Sequence, residues 1–320
     1  MKALVLDAEG RLPELRDVPA PRPKKTEVLV KVAAAGVNYA DTMMRRGFYM
    51  QKPNFPFVPG FEFSGVVTEA GEGVKNVRPG DRVMGTCQGA FAEYAVAHAG
   101  VVMPVPASFT DEQAAAFPVT YLTAMAMLRV SAGAQPGETI LVHAAAGGVG
   151  TATIQIAKHL GLHIIATAST DEKLDLARQL GADVAINYRT GDFVQPVLDA
   201  THGRGADIIF ESIGGDFLNR DIRAAAPFGR IVVFGIASGS VEPPDLHSMF
   251  RNSVTVSVFW MPTLSREPGR MAAVVRELLG MVEKGCIEPV VGAVFPLEKG
   301  ADALLALESR ATKGKMILTP

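Results

Sequence analysis

The feature of this chain that most constrains its fold is a regular alternation of strand-like and helix-like segments from residue 138 to residue 235. Apolar runs bounded by turn residues predict the strands, and longer amphipathic segments between them predict the helices. The predicted strands are 138–142, 162–168, 184–187, 206–210 and 230–235, and the predicted helices are 151–158, 170–180, 191–200 and 217–226. Such an alternation predicts a doubly wound α/β domain, in which helices cover both faces of a parallel sheet.

The turn after the first of these strands carries three glycines and opens a helix. Residues 144–150 read AAAGGVG. A pyrophosphate can rest on the N–H groups of a helix N-terminus only where no side chain keeps it away, and Gly147, Gly148 and Gly150 leave that space. Because Ala144 replaces the first glycine of the G-x-G-x-x-G pattern, the turn alone is equally typical of an ordinary strand-to-helix connection. The surrounding alternation favours the dinucleotide site.

Both ends of the chain differ from this central part. Short β-like segments separated by glycine and proline turns predict a mostly β N-terminal domain, with strands at 28–34, 63–70, 82–86 and 91–96. Residues 111–129 are predicted helical apart from Pro118 and carry the chain into the nucleotide domain. After Trp260 the pattern predicts helices at 270–284 and 298–309 and strands at 290–296 and 315–318.

Composition narrows the class of protein. The 320 residues are 48% hydrophobic, which supports two substantial cores, and the net charge is only −2. The chain has no long basic run, which argues against nucleic acid as the main partner. Arg45-Arg46 is predicted to be a solvated helix edge. No apolar run has membrane length, and residues 1–6 resemble a first strand rather than a signal peptide, so we expect a cytoplasmic protein without a membrane partner. The two cysteines, Cys87 and Cys286, allow neither a disulfide framework nor a cysteine-rich zinc lobe.

Several short motifs carry a family resemblance that runs nearly from end to end. They are AGVNYAD at 35–41, PGFEFSG at 59–65, PGDRV at 79–83, YLTA at 121–124, the glycine turn, INYR at 186–189 and KGK at 313–315. Together they resemble the medium-chain dehydrogenase/reductase superfamily, in its quinone oxidoreductase branch, which includes zeta-crystallin.

The resemblance implies a GroES-like, mostly β catalytic domain that is interrupted by a Rossmann domain. We therefore expect residues 1–118 and 261–320 to form the catalytic domain and residues 119–260 to form the nucleotide domain. It also implies binding in the cleft between the two domains and a homodimer or homotetramer built on the nucleotide-domain sheet.

The resemblance also bears on metal content. In the zinc alcohol dehydrogenases a cysteine stands at the position of Asn38, and a histidine stands at the position of Phe61. Because a catalytic zinc site needs about three protein ligands of the N, S or O type, and both strong ligands are replaced, we expect no metal. His143, on the strand before the glycine turn, is interpreted as structural.

Cofactor choice depends on the end of the second nucleotide-domain strand. An NAD site places an acid there, about 20 residues past the glycines, whereas this strand ends with Ser169 and Thr170. Asp171 and Glu172 are interpreted as first-turn helix charges that suit the helix dipole. Lys173 alone is typical of a solvated helix lysine. The resemblance assigns Lys173 and Tyr188 to the 2′-phosphate, with Ser169 and Thr170 supplying hydroxyls, and so predicts NADPH.

The remaining candidate residues follow from the same resemblance. The catalytic candidates are Asn38, Asp41, Tyr49 and Thr123. The cofactor-binding candidates are Tyr39, Gly147, Gly148, Val149, Gly150, Ser169, Thr170, Lys173, Tyr188, Ser212, Phe234, Gly235, Ile236, Phe259 and Arg310. Two alternatives stay open: Tyr49 is equally typical of a surface-loop aromatic residue, and Asn38 of a residue that stabilises a turn.

These residues predict an NADPH-dependent, zinc-independent oxidoreductase that delivers hydride to quinones or α,β-unsaturated carbonyls, with water or Tyr49 as the proton donor. Such acceptors need mainly positioning from the protein. One alternative is an enoyl-thioester reductase of the same superfamily. Another is a non-catalytic, crystallin-like NADPH-binding protein or an RNA-interacting protein, which the charge composition disfavours.

Overall fold

The computed structural model describes all 320 residues. The strands are β1 (Lys2–Val5), β2 (Glu14–Asp17), β3 (Glu27–Val37), β4 (Glu62–Ala70), β5 (Arg82–Thr86), β6 (Tyr94–His98), β7 (Val102–Pro104), β8 (Thr139–Val142), β9 (His163–Ala168), β10 (Val184–Asn187), β11 (Ala206–Glu211), β12 (Ala225–Val233), β13 (Thr255–Val258), β14 (Val291–Pro296) and β15 (Lys315–Thr319). The helices are α1 (Tyr39–Arg45), α2 (Asp111–Ala115), α3 (Pro118–Ala126), α4 (Gly148–His159), α5 (Asp171–Leu180), α6 (Val194–Ala200), α7 (Phe217–Ala224), α8 (Leu246–Asn252), α9 (Met261–Leu264), α10 (Pro268–Glu283) and α11 (Gly300–Glu308). None of these helices is both long enough and apolar enough to cross a membrane.

The chain divides into two compact units. The first consists of Met1–Val119 and Pro289–Pro320, and the second of Thr120–Glu288. The chain thus returns to the first unit at Pro289, whereas the sequence predicted the return at residue 261. The difference is the segment that contains α10, which packs within the second unit, where Glu277 forms a 2.5 Å ion pair with Arg129.

The first unit is mostly β, as predicted. Its main sheet has the order β14-β15-β3-β4-β5-β7, with β6 paired to β3, and β1 and β2 form a small antiparallel sheet. Apolar side chains of these strands, among them Val30, Phe63 and Leu318, form a buried core together with Leu304 of α11. The first and last parts of the chain meet in one sheet, because β15 pairs antiparallel with β3.

The second unit is a doubly wound α/β domain. Its six strands are all parallel and have the order β10-β9-β8-β11-β12-β13. The first strand in sequence, β8, therefore lies between β9 and β11, and the strand order reverses at this point. In such sheets ligands bind at the carboxyl ends of the strands beside the reversal. The predicted fold class is confirmed for both units.

Local signals predicted many element bounds closely. Thr170 is the N-cap of α5, and Gly181 ends that helix with φ +118°, both as predicted. The predicted helix 111–129 is instead broken into α2, α3 and a π turn, Met127–Ser131, because Pro118 cannot continue a helix and starts a new one. The four-residue strand β13 and helices α1 and α8 were not predicted.

Candidate functional site

Most of the cofactor-binding candidates follow the carboxyl ends of the six parallel strands of the second unit. The glycine turn follows β8, Ser169 and Thr170 follow β9, Tyr188 follows β10, Ser212 follows β11, residues 234–236 follow β12, and Phe259 follows β13. Because all six strands run in the same direction, their carboxyl ends share one edge of the sheet. The topology thus gathers these candidates at a single edge.

The glycine turn presents a helix N-terminus without side-chain caps. Gly147 is the N-cap of α4 and forms no side-chain capping hydrogen bond, so the first N–H groups of the helix face outward. A Cβ atom on Gly150 would lie 2.5 Å from the carbonyl oxygen of Ala144 and 2.7 Å from Cα of Ala145. Ala144 itself adopts φ +48°, the left-handed conformation usually taken by glycine. This turn fits the pyrophosphate of a dinucleotide.

The end of β9 offers hydroxyl groups and no acid that is free to accept two ribose hydroxyls. The Oγ1 of Thr170 accepts a hydrogen bond from the backbone N–H of Lys173 at 3.4 Å. Asp171 lies in the first turn of α5, where its carboxylate accepts a hydrogen bond from the Asn187 amide at 3.0 Å. Tyr188 follows β10, and its N–H donates to the carbonyl of Ala168 at 3.2 Å. The candidate 2′-phosphate residues therefore come from neighbouring strand ends.

The loops after β11 and β12 are joined by backbone hydrogen bonds. The carbonyl of Ser212 accepts from the N–H of Ala237 at 2.9 Å, and the carbonyl of Ile213 accepts from Ser238 at 2.7 Å. A Cβ atom on Gly235 would lie 3.2 Å from Cβ of Ser212, so a larger residue at 235 would press on the neighbouring loop. Phe259 continues the same edge, with its N–H bonded to the carbonyl of Val233.

A buried cluster lies directly behind this edge, at the two strands where the sheet order reverses. His143 follows β8 and Glu211 ends β11, while Asp221 comes from α7; all three are at most 1% exposed. His143 bonds through Nδ1 to Oγ1 of Thr167 at 2.8 Å and through Nε2 to Oδ1 of Asp221 at 2.7 Å. The Oε1 atom of Glu211 accepts the N–H groups of Ile213 and Gly214. The sequence predicted a structural role for His143 but gave no indication of its acidic partners.

Burial determines the charge state of this cluster. Removal from water lowers the pKa of His143 to about 4, so the imidazole is neutral at pH 7. The same cause raises the pKa of Glu211 to about 7 and raises that of Asp221 well above its ordinary value. The cluster therefore retains protons under conditions in which exposed carboxyl groups have lost them.

The catalytic candidates Asn38 and Asp41 lie at the start of α1 in the first unit, and both are buried. Asp41 accepts the N–H of Asn38 at 2.8 Å and the N–H of Gly60 at 3.1 Å. Burial raises the pKa of Asp41 to about 7. Asp41 thus connects the backbones of two of the short motifs.

The amide of Asn38 is committed to other side chains. Its Oδ1 accepts from Nζ of Lys315 at 2.6 Å, and its Nδ2 donates to Oε1 of Glu62 at 2.8 Å. Lys315 also forms a 2.5 Å ion pair with Glu62, and both side chains are almost completely buried. Neither Lys315 nor Glu62 was among the predicted site residues, although both lie in motifs that carried the resemblance.

These neighbours do not form a zinc site. The Lys315 ammonium already contacts the oxygens of Asn38 and Glu62, and Phe61 offers no donor atom. Burial raises the pKa of the Cys87 thiol, which disfavours the thiolate that binds metal. A dication beside a buried ammonium would be repelled.

Phe61 borders a cavity in the first unit, and the ring of Tyr49 contacts Phe61. Their ring centroids lie 5.6 Å apart, and Tyr49 is half-buried. The cavity has a volume of about 600 Å³, and its walls include Phe61, Gln51 and Asn54. Its size lies within the range of small-molecule sites, about 300–1,000 Å³.

The other candidates divide between the units. Tyr39 is the first residue of α1, and Arg310, which follows α11 with φ +58°, is exposed. Thr123 lies on α3 and is buried in the second unit. The expectation of a solvated Arg45 is wrong, because this side chain is buried and pairs with Glu308 at 2.7 Å. The reason is that α1 packs on α11, which places a carboxylate beside Arg45.

Comparison with known proteins agrees with this architecture. Residues 24–107 match the alcohol dehydrogenase GroES-like domain family, and residues 148–279 match the zinc-binding dehydrogenase family. The chain is 35% identical to the quinone oxidoreductase of Rattus norvegicus over 305 residues, which cover 94% of this chain and 92% of the relative.

Solved structures give the same result over the whole chain. The Escherichia coli quinone oxidoreductase complexed with NADPH has a TM-score of 0.94 and 31% identity, with 100% of both chains covered. The Thermus thermophilus quinone oxidoreductase, solved alone and with NADPH, has a TM-score of 0.90 and 36% identity, again with 100% of both chains covered. Fold and site thus define a member of the medium-chain dehydrogenase/reductase superfamily. Within it, the chain belongs to the quinone oxidoreductase family.

Proposed function

We propose that this protein is an NADPH-dependent, zinc-independent oxidoreductase that reduces quinones or α,β-unsaturated carbonyl compounds. The observation that carries the proposal is the single edge of the second unit's sheet, where the glycine turn and the loops after the other five strands meet. Related quinone oxidoreductases, two of them solved with NADPH, support the same activity.

The residues of the second unit fit NADPH. The uncapped N-terminus of α4 receives the pyrophosphate, and Gly150 allows the turn to pack against the helix. Ser169, Thr170, Lys173 and Tyr188 hold the 2′-phosphate, because hydroxyl groups and a cation favour a phosphate and β9 itself ends without an acid. When bound, NADPH supplies the hydride.

The other candidates position the reactants. Ser212 and residues 234–236 line the edge that faces the nicotinamide end, with Thr123, Phe259 and Arg310 as further cofactor contacts. In the first unit, Asn38 and Asp41 fix the start of α1, from which Tyr39 extends, and they act by positioning. The cavity beside Phe61 takes the acceptor, and Tyr49 or water gives the proton. Neither the enoyl-thioester nor the non-catalytic alternative is favoured by the relatives.

The oligomer we propose is a homodimer or homotetramer joined at the sheet of the second unit. β13 is an edge strand of this sheet, and its outer side is not paired. Exposed apolar side chains lie on β12, β13 and α8, namely Phe228, Val258, Leu246 and Phe250. An unpaired edge strand is a template for pairing with another chain, and contiguous exposed apolar patches mark interaction sites. We also propose a cytoplasmic location, where the two free cysteines, Cys87 and Cys286, would stay reduced.

The cofactor assignment is tested by Lys173→Ala. We expect kcat/KM for NADPH, measured with a quinone and with an enone, to fall on the order of 10- to 100-fold, because a charge-assisted contact to the phosphate is lost. The value for NADH should change little.

Arg178→Ala is the matched control, because Arg178 is an exposed cation on the same helix and pairs with Asp175. It should leave both values unchanged. An unaltered ratio of NADPH to NADH efficiency in Lys173→Ala would contradict the phosphate assignment. Absence of turnover with every quinone and enone would contradict the proposed activity itself.

A further inference from the structure

The buried cluster behind the dinucleotide edge has two oxygen atoms without a hydrogen-bond partner. They are Oε2 of Glu211 and Oδ2 of Asp221, and both are shielded from solvent. An unpartnered buried carboxylate oxygen is costly, and two adjacent buried carboxylates repel one another. Carboxyl oxygens of Glu211 and Asp221 lie within 4.8 Å of each other, and a hydrogen bond with Glu211 is one of the influences on the pKa of Asp221. One hydrogen atom between them would satisfy both oxygens.

The remaining hydrogen bonds of the cluster are consistent with this arrangement. In the tautomer of neutral His143 that carries its hydrogen on Nε2, the ring donates to Oδ1 of Asp221 and Nδ1 accepts from the Thr167 hydroxyl. Glu211 uses Oε1 for the two N–H groups of loop 212–215. One further proton completes a chain of hydrogen bonds from β9 to that loop.

The distances favour a proton over a metal ion, although His143, Glu211 and Asp221 bring possible ligand atoms within 4.8 Å of one another. Two ligand atoms on a tetrahedral zinc ion lie roughly 3.3 Å apart, since each sits about 2.0–2.1 Å from the metal. Nε2 of His143 and Oδ1 of Asp221 are only 2.7 Å apart, which is a hydrogen-bond distance.

Aromatic side chains keep water away from the cluster. The ring of His143 meets Phe193 and Phe217 edge-on, at centroid distances of 4.8 and 5.3 Å. The guanidinium of Arg220 lies over the rings of Phe193 and Phe217, at 4.4 and 4.9 Å from their centroids. Tyr188, a candidate for the 2′-phosphate, packs on Phe217.

The cluster is linked to the dinucleotide edge through one loop. Gly214 needs its left-handed φ of +78°, and a Cβ atom there would lie 2.4 Å from the carbonyl of Ser240. Loop 212–215 in turn bonds to the backbone of Ala237, Ser238 and Ser240. These residues directly follow 234–236, so the carboxyl of Glu211 fixes both loops at once.

We propose that Glu211 and Asp221 hold one proton between them, and that Glu211 in this protonated pair is a positioning residue for loop 212–215 at the dinucleotide site. The second part rests on the proposed function, whereas the shared proton does not. Loss of the proton leaves two buried anions side by side, which displaces the loop and weakens cofactor binding.

The charged and titratable groups that face Glu211 and Asp221 affect how readily this pair holds its proton. His143 faces it from the end of β8 and stays neutral. Arg220 on α7 favours the negatively charged form of Asp221 and so lowers its pKa. Asp216, the N-cap of α7, repels that negative charge and raises the pKa of Asp221. Asp192, before α6, pairs with Arg220 at 2.8 Å and reduces its effect.

The sign of the pH dependence follows from burial. The pKa of Glu211 is about 7 in the folded protein, above its ordinary value of 4.5. The folded state therefore keeps a proton that the unfolded chain releases, and the resulting stabilisation is complete below about pH 4.5 and disappears as the pH rises through 7.

The test compares the wild type with Glu211→Gln, whose amide mimics the protonated carboxyl and has no proton to lose in this range. Thermal unfolding of the second unit is followed by circular dichroism at pH 6 and pH 8.5. We expect the midpoint of the wild type to fall by about 2–4 °C more than that of the variant. Asp41, which has a raised pKa in the first unit, affects both proteins equally and cancels in the comparison.

The positioning part is tested by NADPH fluorescence titration between pH 7 and pH 9. The Kd of the wild type should rise about fivefold or more, while that of Glu211→Gln should stay flat. A merely structural role would weaken binding equally at all pH values. Asp221→Asn, which can donate to Glu211 and accept from His143, should give the same flat profile. Glu283→Gln, at an exposed position on α10, is the matched control and should behave like the wild type.

The outcomes separate the two proposals. If the unfolding midpoint changed equally with pH in the wild type and in both amide variants, the shared proton would be overturned. A stoichiometric metal ion, found by mass spectrometry, that is lost in Glu211→Gln would also overturn it. Equal pH slopes of the NADPH Kd would overturn the positioning role. If NADPH binds at no pH while the unfolding curves differ as expected, the shared proton stands and the proposed function fails.

Discussion

Lys315 shows how one buried cation can fix a site. Its ammonium contacts Asn38 and Glu62, and the second oxygen of Glu62 accepts the N–H of Val119 at 2.7 Å. The ion pair therefore joins β15, the start of α1, β4 and the start of α3. Both charges are removed from water, so each depends on the other.

Replacing Lys315 with Met keeps the length of the side chain but leaves the Glu62 carboxylate without its cation. We expect the free energy of unfolding of the first unit to fall by about 3–5 kcal/mol, the usual cost of an uncompensated buried charge. Urea unfolding measures the change. Lys2→Met is the matched control, because the Lys2–Asp17 pair is exposed and should contribute little. An equally small effect of Lys315→Met would show that Glu62 finds another partner.

Residues that act through a local pattern could be predicted from the sequence, whereas residues that act across the fold could not. Thr170 as the N-cap of α5 and Gly181 at its end were confirmed, because both signals lie within one helix. Glu211 and Asp221 carry no such signal. Their meeting depends on how α7 packs on the sheet, and two acids ten positions apart would normally be expected in water.

At the scale of elements, the turn that opens α4 is the most constrained part of the dinucleotide site. It must present the helix N-terminus and also let the helix pack closely on the strand that precedes it. Gly150 serves the second requirement, because a Cβ atom there would overlap the backbone of Ala144 and Ala145.

Gly150→Ala should therefore destabilise the second unit by about 1–3 kcal/mol, the usual effect of forcing an extra methyl group into a packed region. It should also weaken NADPH binding, because the shifted turn no longer presents its N–H groups to the pyrophosphate. Urea unfolding and fluorescence titration measure the two effects. Retained stability and affinity would mean that the turn can move away without consequence.

Ala144→Gly is the matched variant in the same turn. Glycine removes the steric cost of the left-handed φ at this position, about 1–2 kcal/mol, but adds about 0.5–1 kcal/mol of chain entropy. The two effects largely cancel, so we expect stability and NADPH affinity close to those of the wild type. Large losses in both variants would indicate that the turn tolerates no change of any kind.

The sequence predicted the central strands and helices well because hydrophobic periodicity and caps are local. Strand β10 was predicted at its observed bounds, 184–187. Strand β13 was missed because none of its four side chains is fully buried, so it lacks a periodic signal. Helix α1 was missed because its capping box, formed by Asn38 and Asp41, lies in a motif interpreted as catalytic.

At the scale of the whole molecule, the chain forms a discontinuous first unit and a continuous second unit, each with its own main sheet. The two chain segments of the first unit are held together because β15 pairs with β3 in one sheet. The second unit leaves one side of β13 open. Assembly of chains is therefore expected at β13.

Val258→Lys tests this expectation, because a lysine on an edge strand opposes pairing with a second strand. In sedimentation velocity runs at matched concentration, the wild type should have about two or four times the 33.9 kDa mass of one chain. The variant should have the mass of a monomer. Val294→Lys is the matched control: Val294 is also an exposed valine, on β14, the edge strand of the first unit's sheet. It should leave the oligomer intact. A monomeric wild type, or dissociation by Val294→Lys instead of Val258→Lys, would contradict an interface at β13.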